Sequence, residues 1–450
     1  MRTAPQQLLK SDLDTISDKT LGKELFSMTW PMLIGVLSLM SFQLADSLFI
    51  ARLGVESLAV VGFTIPIYLL IIGFQVGFGI ATTALISQQV GAKQESSAST
   101  LGGTILCFGG AVLLGLCVLI WFAREPILGA LGGSPALMPL INEFWLVWLI
   151  SAYCGALVYL GYSICRAHGN TVLPGAVMVV TSLLNIGLDP LFIFYFDFGL
   201  KGAAYATLCS FTLGACFVFP KLLRSHWLSF KRIAKDLQQS VKNISAIAAP
   251  AIMSQMLPPL AAMMATYIVA QFGTEAVAAW GLGTRLEFFS IVMVLALTMA
   301  LPPIIGRNYG AGQFDRIAQV TRLTLKFVML WQFCIALGGI IFSHPLSRLM
   351  ASNDAVAEIL QLYLAAVPIS YGPLGVCMIA VSICNAMNAP LRALNISFLR
   401  LFICYLPFVW AGALLGDMQG LIIGATVGNS LAGIMAWRAY QSCIKKVSTP

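Results

Sequence analysis

Long apolar segments recur along almost the whole chain, and they constrain its fold more than any other feature. A helix needs about 20 apolar residues to cross a bilayer core of roughly 30 Å, and repeated runs of that length cannot share one water-soluble core. Hydrophobic residues make up 59% of the 450 positions and charged residues only 10%. We therefore expect an all-α integral membrane protein, which excludes soluble enzymes and nucleic-acid-binding proteins.

Turn signals separate the apolar runs into twelve predicted transmembrane helices. They cover residues 25–51, 57–87, 101–123, 140–165, 171–196, 200–223, 244–271, 276–306, 320–343, 357–386, 390–415 and 418–440. The predicted organisation is an N-terminal segment (1–24), a first lobe of six helices (25–223), a linker (224–243), a second lobe (244–440) and a tail (441–450). The first segment lacks the features of a cleaved signal peptide.

Lys and Arg are distributed unevenly between the two ends of the predicted helices. Twenty of the 26 fall in the termini and in the connections that follow even-numbered helices, four fall on the other side, and two lie inside helices. By the positive-inside rule, both termini and the 224–243 loop are predicted to be cytoplasmic. That basic loop is interpreted as a solvated connector near anionic lipid, and no nucleic-acid partner is expected.

The two predicted lobes are repeats of each other. One constant shift along the chain pairs Pro31 with Pro250, Gly91 with Gly310, and ARLGVESLAVVG (from residue 51) with AQFGTEAVAAWG (from residue 270). We call it the repeat shift. Several matches at one shift, in loops as well as helices, are hard to obtain by chance. Because six helices is an even number, both halves enter from the same side, so we expect parallel lobes around a central cavity that opens alternately to each side.

Three carboxylates lie well inside the predicted helices, namely Asp46, Asp189 and Glu287. At 1.5 Å per residue, Asp46, Asp189 and Thr207 all lie roughly 10 Å below the outer surface. Asn185 precedes Asp189 by one helical turn on the same face. These groups predict a cation or proton site in which the two neighbouring Asp titrate together. The alternative is that each Asp is a structural hydrogen-bonding residue between helices.

The repeat does not extend to this site. The repeat shift pairs Asp46, Asn185 and Asp189 with Ala265, Cys404 and Phe408. The second lobe is therefore not expected to carry the same site.

Pro31 lies on the cytoplasmic side of Asp46 in helix 1. A proline inside a helix removes one backbone hydrogen bond and favours a kink. The kink would be either a moving part of the protein or a static packing feature, as at Pro250.

Glu287 is predicted near the middle of helix 8. Arg285 is two positions away and therefore faces elsewhere. We interpret Glu287 as the partner of Arg400 in a buried structural ion pair, with snorkelling of the side chain or a substrate contact as the alternatives.

The stretch CRAHGNTVLPGAVMVVTSLLNIGLDPLFIF, the following GLKGAAYAT and the loop pair GAKQ/GAGQ resemble multidrug and toxic compound extrusion (MATE) transporters. The resemblance covers essentially all twelve helices. It implies a V-shaped pair of six-helix lobes that exports cationic or amphipathic drugs by antiport against protons or sodium. It also implies a bacterial inner membrane, and we expect a monomer with no cofactor and no enzymatic reaction.

The resemblance also implies roles for individual residues. Those that match the ion site in the first lobe of prokaryotic members are Asp46, Asn185, Asp189 and Thr207. Pro31 matches the proline at which helix 1 bends in some members. Sodium-coupled members of one subgroup carry acidic residues in helices 7 and 10, whereas here Gln255 is the nearest polar candidate. This departure favours proton coupling at Asp46 and Asp189, with sodium at the same site left open.

Two other functions compete with drug antiport. A flippase for lipid-linked sugars should have a more cationic central cavity than Arg285 and Arg400 provide. An intramembrane aspartyl protease would use Asp46 and Asp189 as its dyad, but the residues before them are Ala45 and Leu188, not the Tyr and Gly of that family. No ATP-binding P-loop pattern occurs, so secondary transport is the favoured hypothesis.

Overall fold

The computed structural model describes residues 18–230, 237–351 and 353–448, and those residues form helices with no strand. Parts of the predicted N-terminal segment, linker and tail lie outside these ranges. We label the membrane helices α1 (Asp18–Ala51), α2 (Val55–Gly91), α3 (Glu95–Phe122), α4 (Met138–Ala167), α5 (Val172–Pro190), α6 (Leu200–Arg224), α7 (Leu237–Ala270), α8 (Thr274–Ser290 with Val292–Gly310), α9 (Phe314–Met350), α10 (Asp354–Ala366 with Tyr371–Ala386), α11 (390–415) and α12 (418–448).

Several helix boundaries differ from the predicted ones, including those of α1, α7 and α9, and both α8 and α10 are interrupted. α1 already includes Asp18, because a helix continues past the apolar residues that mark its membrane-embedded part. A short helix, Arg124–Ala130, lies between α3 and α4. α8 is interrupted at Ile291, where a single helix over residues 276–306 was expected. As expected, α11 and α12 are separate, divided by the non-helical backbone of Gly416 and Asp417.

The twelve helices form two lobes of six, α1–α6 and α7–α12, which confirms the predicted fold class. In the first lobe, α1 packs on α5 and α4 packs on α6. In the second lobe the repeat shift reproduces both pairs, as α7 on α11 and α10 on α12. We call the two lobes the N-lobe and the C-lobe. The repeat in the sequence is therefore a repeat of helix packing.

The lobes are joined at the face that the positive-inside rule predicts to be cytoplasmic. Leu25 and Met28, in the first turns of α1, belong to the apolar core of the C-lobe. Ile244 and Ile247, in the first turns of α7, belong to the apolar core of the N-lobe. The repeat shift relates these two pairs, so each lobe inserts an equivalent segment into the other.

A backbone crossing of α2 and α8 lies at the same face. A Cβ atom added to Gly91 would overlap the carbonyl of Arg307, and one added to Gly310 would overlap the carbonyl of Gln88. The repeat shift pairs Gly91 with Gly310 and Gln88 with Arg307, so one contact is made twice about a pseudo-twofold axis. Gln88 also donates from Nε2 to the carbonyl oxygen of Ala386 in the C-lobe, at 2.8 Å. We call this contact the glycine crossing.

The packing of α1 on α5 depends on Gly175. The backbone of α1 stays helical through Pro31, and a Cβ atom on Gly175 would overlap the Pro31 carbonyl and lie 2.9 Å from its Cβ. Gly175→Ala should therefore destabilise the protein by about 1–3 kcal/mol, the usual cost of overpacking. Thermal unfolding of purified protein in detergent measures this as a lower midpoint.

Gly187 provides the control for that substitution. It lies on the same helix, and no atom of the described residues lies within 4 Å of an added Cβ. Gly187→Ala should leave the midpoint unchanged or raise it, since Ala favours helix by about 0.8–1.0 kcal/mol over Gly. Equal midpoints for the two variants would contradict the assignment of close packing to Gly175.

Candidate functional site

Three N-lobe helices bring the predicted site residues together. Asp46 is half-buried on α1, and Thr207 is half-buried on α6. Asn185 and Asp189 lie on α5 with 2% and 0% of their surface exposed. Asn185 and Thr207 also line one narrow cleft of the N-lobe, together with Thr181, Ser182, Ser210 and two phenylalanines. The grouping expected from helix depth is thus present in space.

Asn185 connects Asp189 with Thr207. In one orientation its Nδ2 donates to Thr207 Oγ1 at 3.1 Å, and Thr207 donates to the carbonyl of Ala203 at 3.0 Å. Its amide oxygen then faces Asp189 Oδ2, which suits a protonated Asp189 that donates. With the amide turned over, Nδ2 donates to Asp189 Oδ2 at 3.1 Å and the amide oxygen accepts from Thr207 Oγ1 at 3.1 Å. With an ionised Asp189 this second pattern satisfies both ends of the amide, and the amide oxygen also accepts from Thr207 N at 3.2 Å.

Each carboxylate at the site keeps one unsatisfied oxygen. Oδ1 of Asp46 and Oδ1 of Asp189 are buried and have no hydrogen-bond partner among the residues that the structure describes. The two carboxylates also interact electrostatically with each other. Buried unpaired carboxylate oxygens are costly, and two like charges add repulsion. A proton or a bound cation is the group that would relieve both costs.

The donor set fits only some cations. It consists of two carboxylates, an amide and a hydroxyl, and such oxygen ligands suit protons or hard ions. Within the described ranges, no group of three or more His, Cys, Asp and Glu side chains is placed to hold a metal ion. The chemistry available here is therefore the uptake and release of a proton or of an ion such as sodium.

Two further residues approach Asp46 that the sequence did not indicate. Gln43, one turn before Asp46 on α1, donates from Nε2 to the hydroxyl of Tyr68 on α2 at 3.1 Å. Tyr68 interacts electrostatically with Asp46. In the sequence, Tyr68 is indicated only by the repeat. The repeat shift pairs it with Glu287, one of the three carboxylates inside the predicted helices. Each lobe thus places a polar residue at this position of its second helix.

The backbone of α5 changes directly after Asp189. Pro190 has no N–H group, so it cannot complete the helical hydrogen bond to the preceding turn. A wide π-helical turn, Leu191–Tyr195, follows, and Phe196 N donates to the carbonyl of Leu191 at 2.9 Å. Such turns are frequent at functional sites. Asp189 therefore lies where α5 is least regular.

The remaining predicted residues lie apart from this site. Gln255 is half-buried on α7 and faces Gly73 of α2. Arg285 is exposed, whereas Glu287 is half-buried and accepts a hydrogen bond from the hydroxyl of Tyr363 at 2.8 Å. In the part of the chain that the structure describes, no carboxylate oxygen lies within 4.0 Å of Arg400. The expected direct ion pair between Glu287 and Arg400 is therefore not formed, because Tyr363 holds the carboxylate, and the two charges interact at longer range.

Comparison with known proteins places this geometry in a wider context. The family model described as MatE matches residues 31–191 and 250–411, one segment in each lobe. The chain is 31% identical over 434 residues to a protein of Shewanella oneidensis named "FAD transporter", covering 95% of this chain and 96% of that protein. It is 24% identical over 341 residues to "Multidrug export protein MepA" of Staphylococcus aureus, covering 75% of each.

A solved structure of similar fold is the Vibrio cholerae MATE transporter VcmN in the bent form. It is 50% identical and superposes with a TM-score of 0.94, covering 96% of this chain and 98% of that one. The two-lobe arrangement described above is thus shared with a solved structure along nearly the whole chain.

Proposed function

Because this chain belongs to the MatE family of membrane transporters, we propose that it is a secondary active exporter that moves small cationic or amphipathic molecules by antiport against protons. The observation that carries this proposal is the pair of buried carboxylates, Asp46 and Asp189, each with an oxygen that has no partner in the described ranges. The names of its multidrug relatives support the substrate class. We further propose a monomer in a bacterial inner membrane, with both termini cytoplasmic and no enzymatic reaction.

In the proposed cycle, protons that enter from outside bind at Asp46 and Asp189. Protonation of Asp189 reverses the hydrogen bonds of Asn185 and so alters the contact between α5 and α6. Pro31 weakens α1 next to Gly175 and allows the helix to bend. Substrate is released outward, and loss of the protons to the cytoplasm resets the cavity.

Efflux from proteoliposomes tests the proposal. Purified protein is reconstituted with a fluorescent cationic dye, and a proton gradient is imposed with and without sodium. We expect efflux that follows the proton gradient and does not require sodium. Efflux that follows only a sodium gradient would contradict proton coupling and assign sodium to the same oxygens. No efflux under either gradient would contradict drug antiport and favour a lipid-linked precursor flippase.

Thr207→Val should slow proton-driven efflux by roughly three- to tenfold, about the worth of one hydrogen bond. Valine keeps the shape of threonine but cannot exchange a hydrogen bond with Asn185, so the amide loses one of the partners that orient it. Thr212→Val is the matched control, because Thr212 lies on the same helix and donates to the carbonyl of Leu208 at 2.7 Å. Equal efflux rates for the two variants would contradict a role for Thr207 in coupling.

A second candidate function is export of an anionic flavin dinucleotide. It is favoured by the relative named "FAD transporter", which matches this chain over 95% of its length. Efflux of FAD from the same proteoliposomes tests it directly. Proton-driven FAD efflux without dye efflux would replace the drug substrate and keep the coupling mechanism.

A further inference from the structure

Arg400 is a charged residue in the interior of the C-lobe, on α11. Its Nε atom is buried and has no hydrogen-bond partner in the described part of the chain. The thiol of Cys377 is the hydrogen-bonding group found beside the guanidinium. A guanidinium inside a membrane without a paired carboxylate is costly, and such residues commonly mark a substrate or ion pathway.

Glu287 is the nearest candidate for neutralising this charge, but the packing holds it away. Its Oε2 accepts from the hydroxyl of Tyr363 at 2.8 Å. Tyr363 is itself fixed, because its ring packs edge-on against Trp280 with centroids 5.4 Å apart and lies over Gly283. Any side chain larger than glycine at position 283 would push the tyrosine away. Tyr363 therefore holds Glu287 out of a direct ion pair with Arg400, whose Nε has no hydrogen-bond partner among the described residues.

Two more tyrosines complete this cluster. Tyr371 and Tyr405 both interact electrostatically with Glu287, and Tyr405 also interacts with Arg400. Arg400 and Tyr405 lie on one π-helical turn, Leu399–Tyr405, and Tyr371 follows a 3₁₀ turn in α10. Irregular backbone at membrane depth is tolerated where it is buried in protein or lines a cavity, and π-helical turns are frequent at functional sites.

The repeat indicates where Arg400 lies in its lobe. The repeat shift pairs it with Thr181, which lines the N-lobe cleft together with Asn185 and Thr207. The C-lobe therefore carries a cation on the element where the N-lobe has its polar cleft. The buried charged groups of the two lobes differ, with the carboxylates of Asp46 and Asp189 in the first and Arg400 together with Glu287 in the second.

We propose that Arg400, with the hydroxyl of Tyr405 on the same π-helical turn, binds an anionic group of the transported molecule, a phosphate or a carboxylate, in the C-lobe. A guanidinium presents a planar fork of N–H donors that matches these anions, and tyrosine hydroxyls add neutral donors. Proton coupling would then take place in the N-lobe, and the anionic group of the substrate would be bound in the C-lobe. This inference rests on the proposed transport function and narrows its substrates to amphipathic molecules that carry an anionic group, such as the flavin dinucleotide of the second candidate function.

Binding measurements on the purified full chain in detergent test this assignment. The probes are FAD, which carries two phosphates, and riboflavin, which has the same ring system and none, with flavin fluorescence as the signal. We expect Arg400→Gln to weaken FAD binding at least about tenfold and to leave riboflavin binding unchanged, because only the charged group is lost from the site. Arg400→Lys should retain part of the affinity, since lysine keeps the charge but not the fork.

Arg285→Gln is the matched control, because it removes the same charge from an exposed position in the same lobe. It should bind FAD like the wild type. A thermal unfolding midpoint and the riboflavin signal show whether each variant is folded. Equal FAD affinities for folded Arg400→Gln and the wild type would overturn the assignment, as would a wild type that binds neither FAD nor pyrophosphate.

One further measurement shows whether the ligand of the site is a substrate anion or a lipid headgroup. A second tests the anion site independently of the transport proposal. Arg400-dependent binding to vesicles of phosphatidylglycerol, but not to FAD, would assign the site to a lipid headgroup and overturn a substrate role. Dye efflux by the wild type is measured in parallel. Its absence would count against the transport proposal, whereas dye efflux combined with unchanged FAD binding in Arg400→Gln would count against the anion site alone.

Discussion

Asp46→Asn should abolish efflux driven by a proton gradient, with a rate at least about 100-fold below that of the wild type, because one titratable member of a coupled carboxylate pair is lost. Asparagine has the same shape, but it can neither bind nor release a proton. Oδ1 of Asp46 has no hydrogen-bond partner within the described residues. The substitution therefore breaks no hydrogen bond at that atom, and the variant should stay folded. The measurement is dye efflux from proteoliposomes under an imposed proton gradient. Substrate binding in detergent should survive, since the change affects coupling.

Glu143→Gln is the matched control for this substitution. Glu143 lies in the same lobe, on α4, where it pairs with Lys201 at 3.4 Å and stays 58% exposed. An exposed pair of this kind contributes only about 0–1 kcal/mol, so efflux should stay within roughly twofold of the wild type. Wild-type efflux by Asp46→Asn would refute the coupling mechanism. Loss of efflux in both variants would show that any change of a carboxylate in this lobe is damaging.

Gly310→Ala and Gly91→Ala are each expected to lower efflux about fivefold or more, since overpacking by about 1–3 kcal/mol shifts a conformational equilibrium by roughly 5- to 150-fold. Either Cβ would overlap a backbone carbonyl across the glycine crossing, and a backbone cannot move aside as a flexible side chain can. The joined state of the two lobes would be destabilised. The proposed cycle needs this state, because it closes the predicted cytoplasmic face while substrate leaves from the other.

Thiol labelling measures the same effect without transport. Ser87 is fully buried beside the crossing, and its hydroxyl faces Gly306 of α8. In inside-out vesicles, Ser87→Cys should react slowly with a membrane-impermeant maleimide in the wild-type background and faster in either glycine variant. Gly281→Ala, a change on α8 where the described part of the chain has no atom within 4 Å of the added Cβ, should alter neither labelling nor efflux. Unchanged labelling and efflux in Gly91→Ala and Gly310→Ala would rule out the crossing as a closure.

The two lobes illustrate how far sequence reasoning reached. Helix depth and the i, i+4 spacing were enough to group Asn185, Asp189 and Thr207, because position along a helix converts directly into height in the membrane. The sequence also suggested an ion pair between Glu287, near the middle of helix 8, and Arg400. Sequence reasoning could not predict the hydrogen bond from Tyr363 to Glu287, since that contact depends on the rotation of α8 and α10 about their axes.

The membrane class, the twelve helices and the duplicated lobes were determined by the sequence itself, because each follows from local composition or from comparison of the chain with itself. The residues that meet across lobes or between distant helices were decided only by the tertiary structure. Tyr68 beside Asp46, Arg400 without a direct ion pair, and the reciprocal crossing of Gly91 and Gly310 are such cases. In an apolar chain most side chains pack adequately in many arrangements. Which polar groups and glycines meet therefore depends on how whole helices pack, and no short segment encodes that.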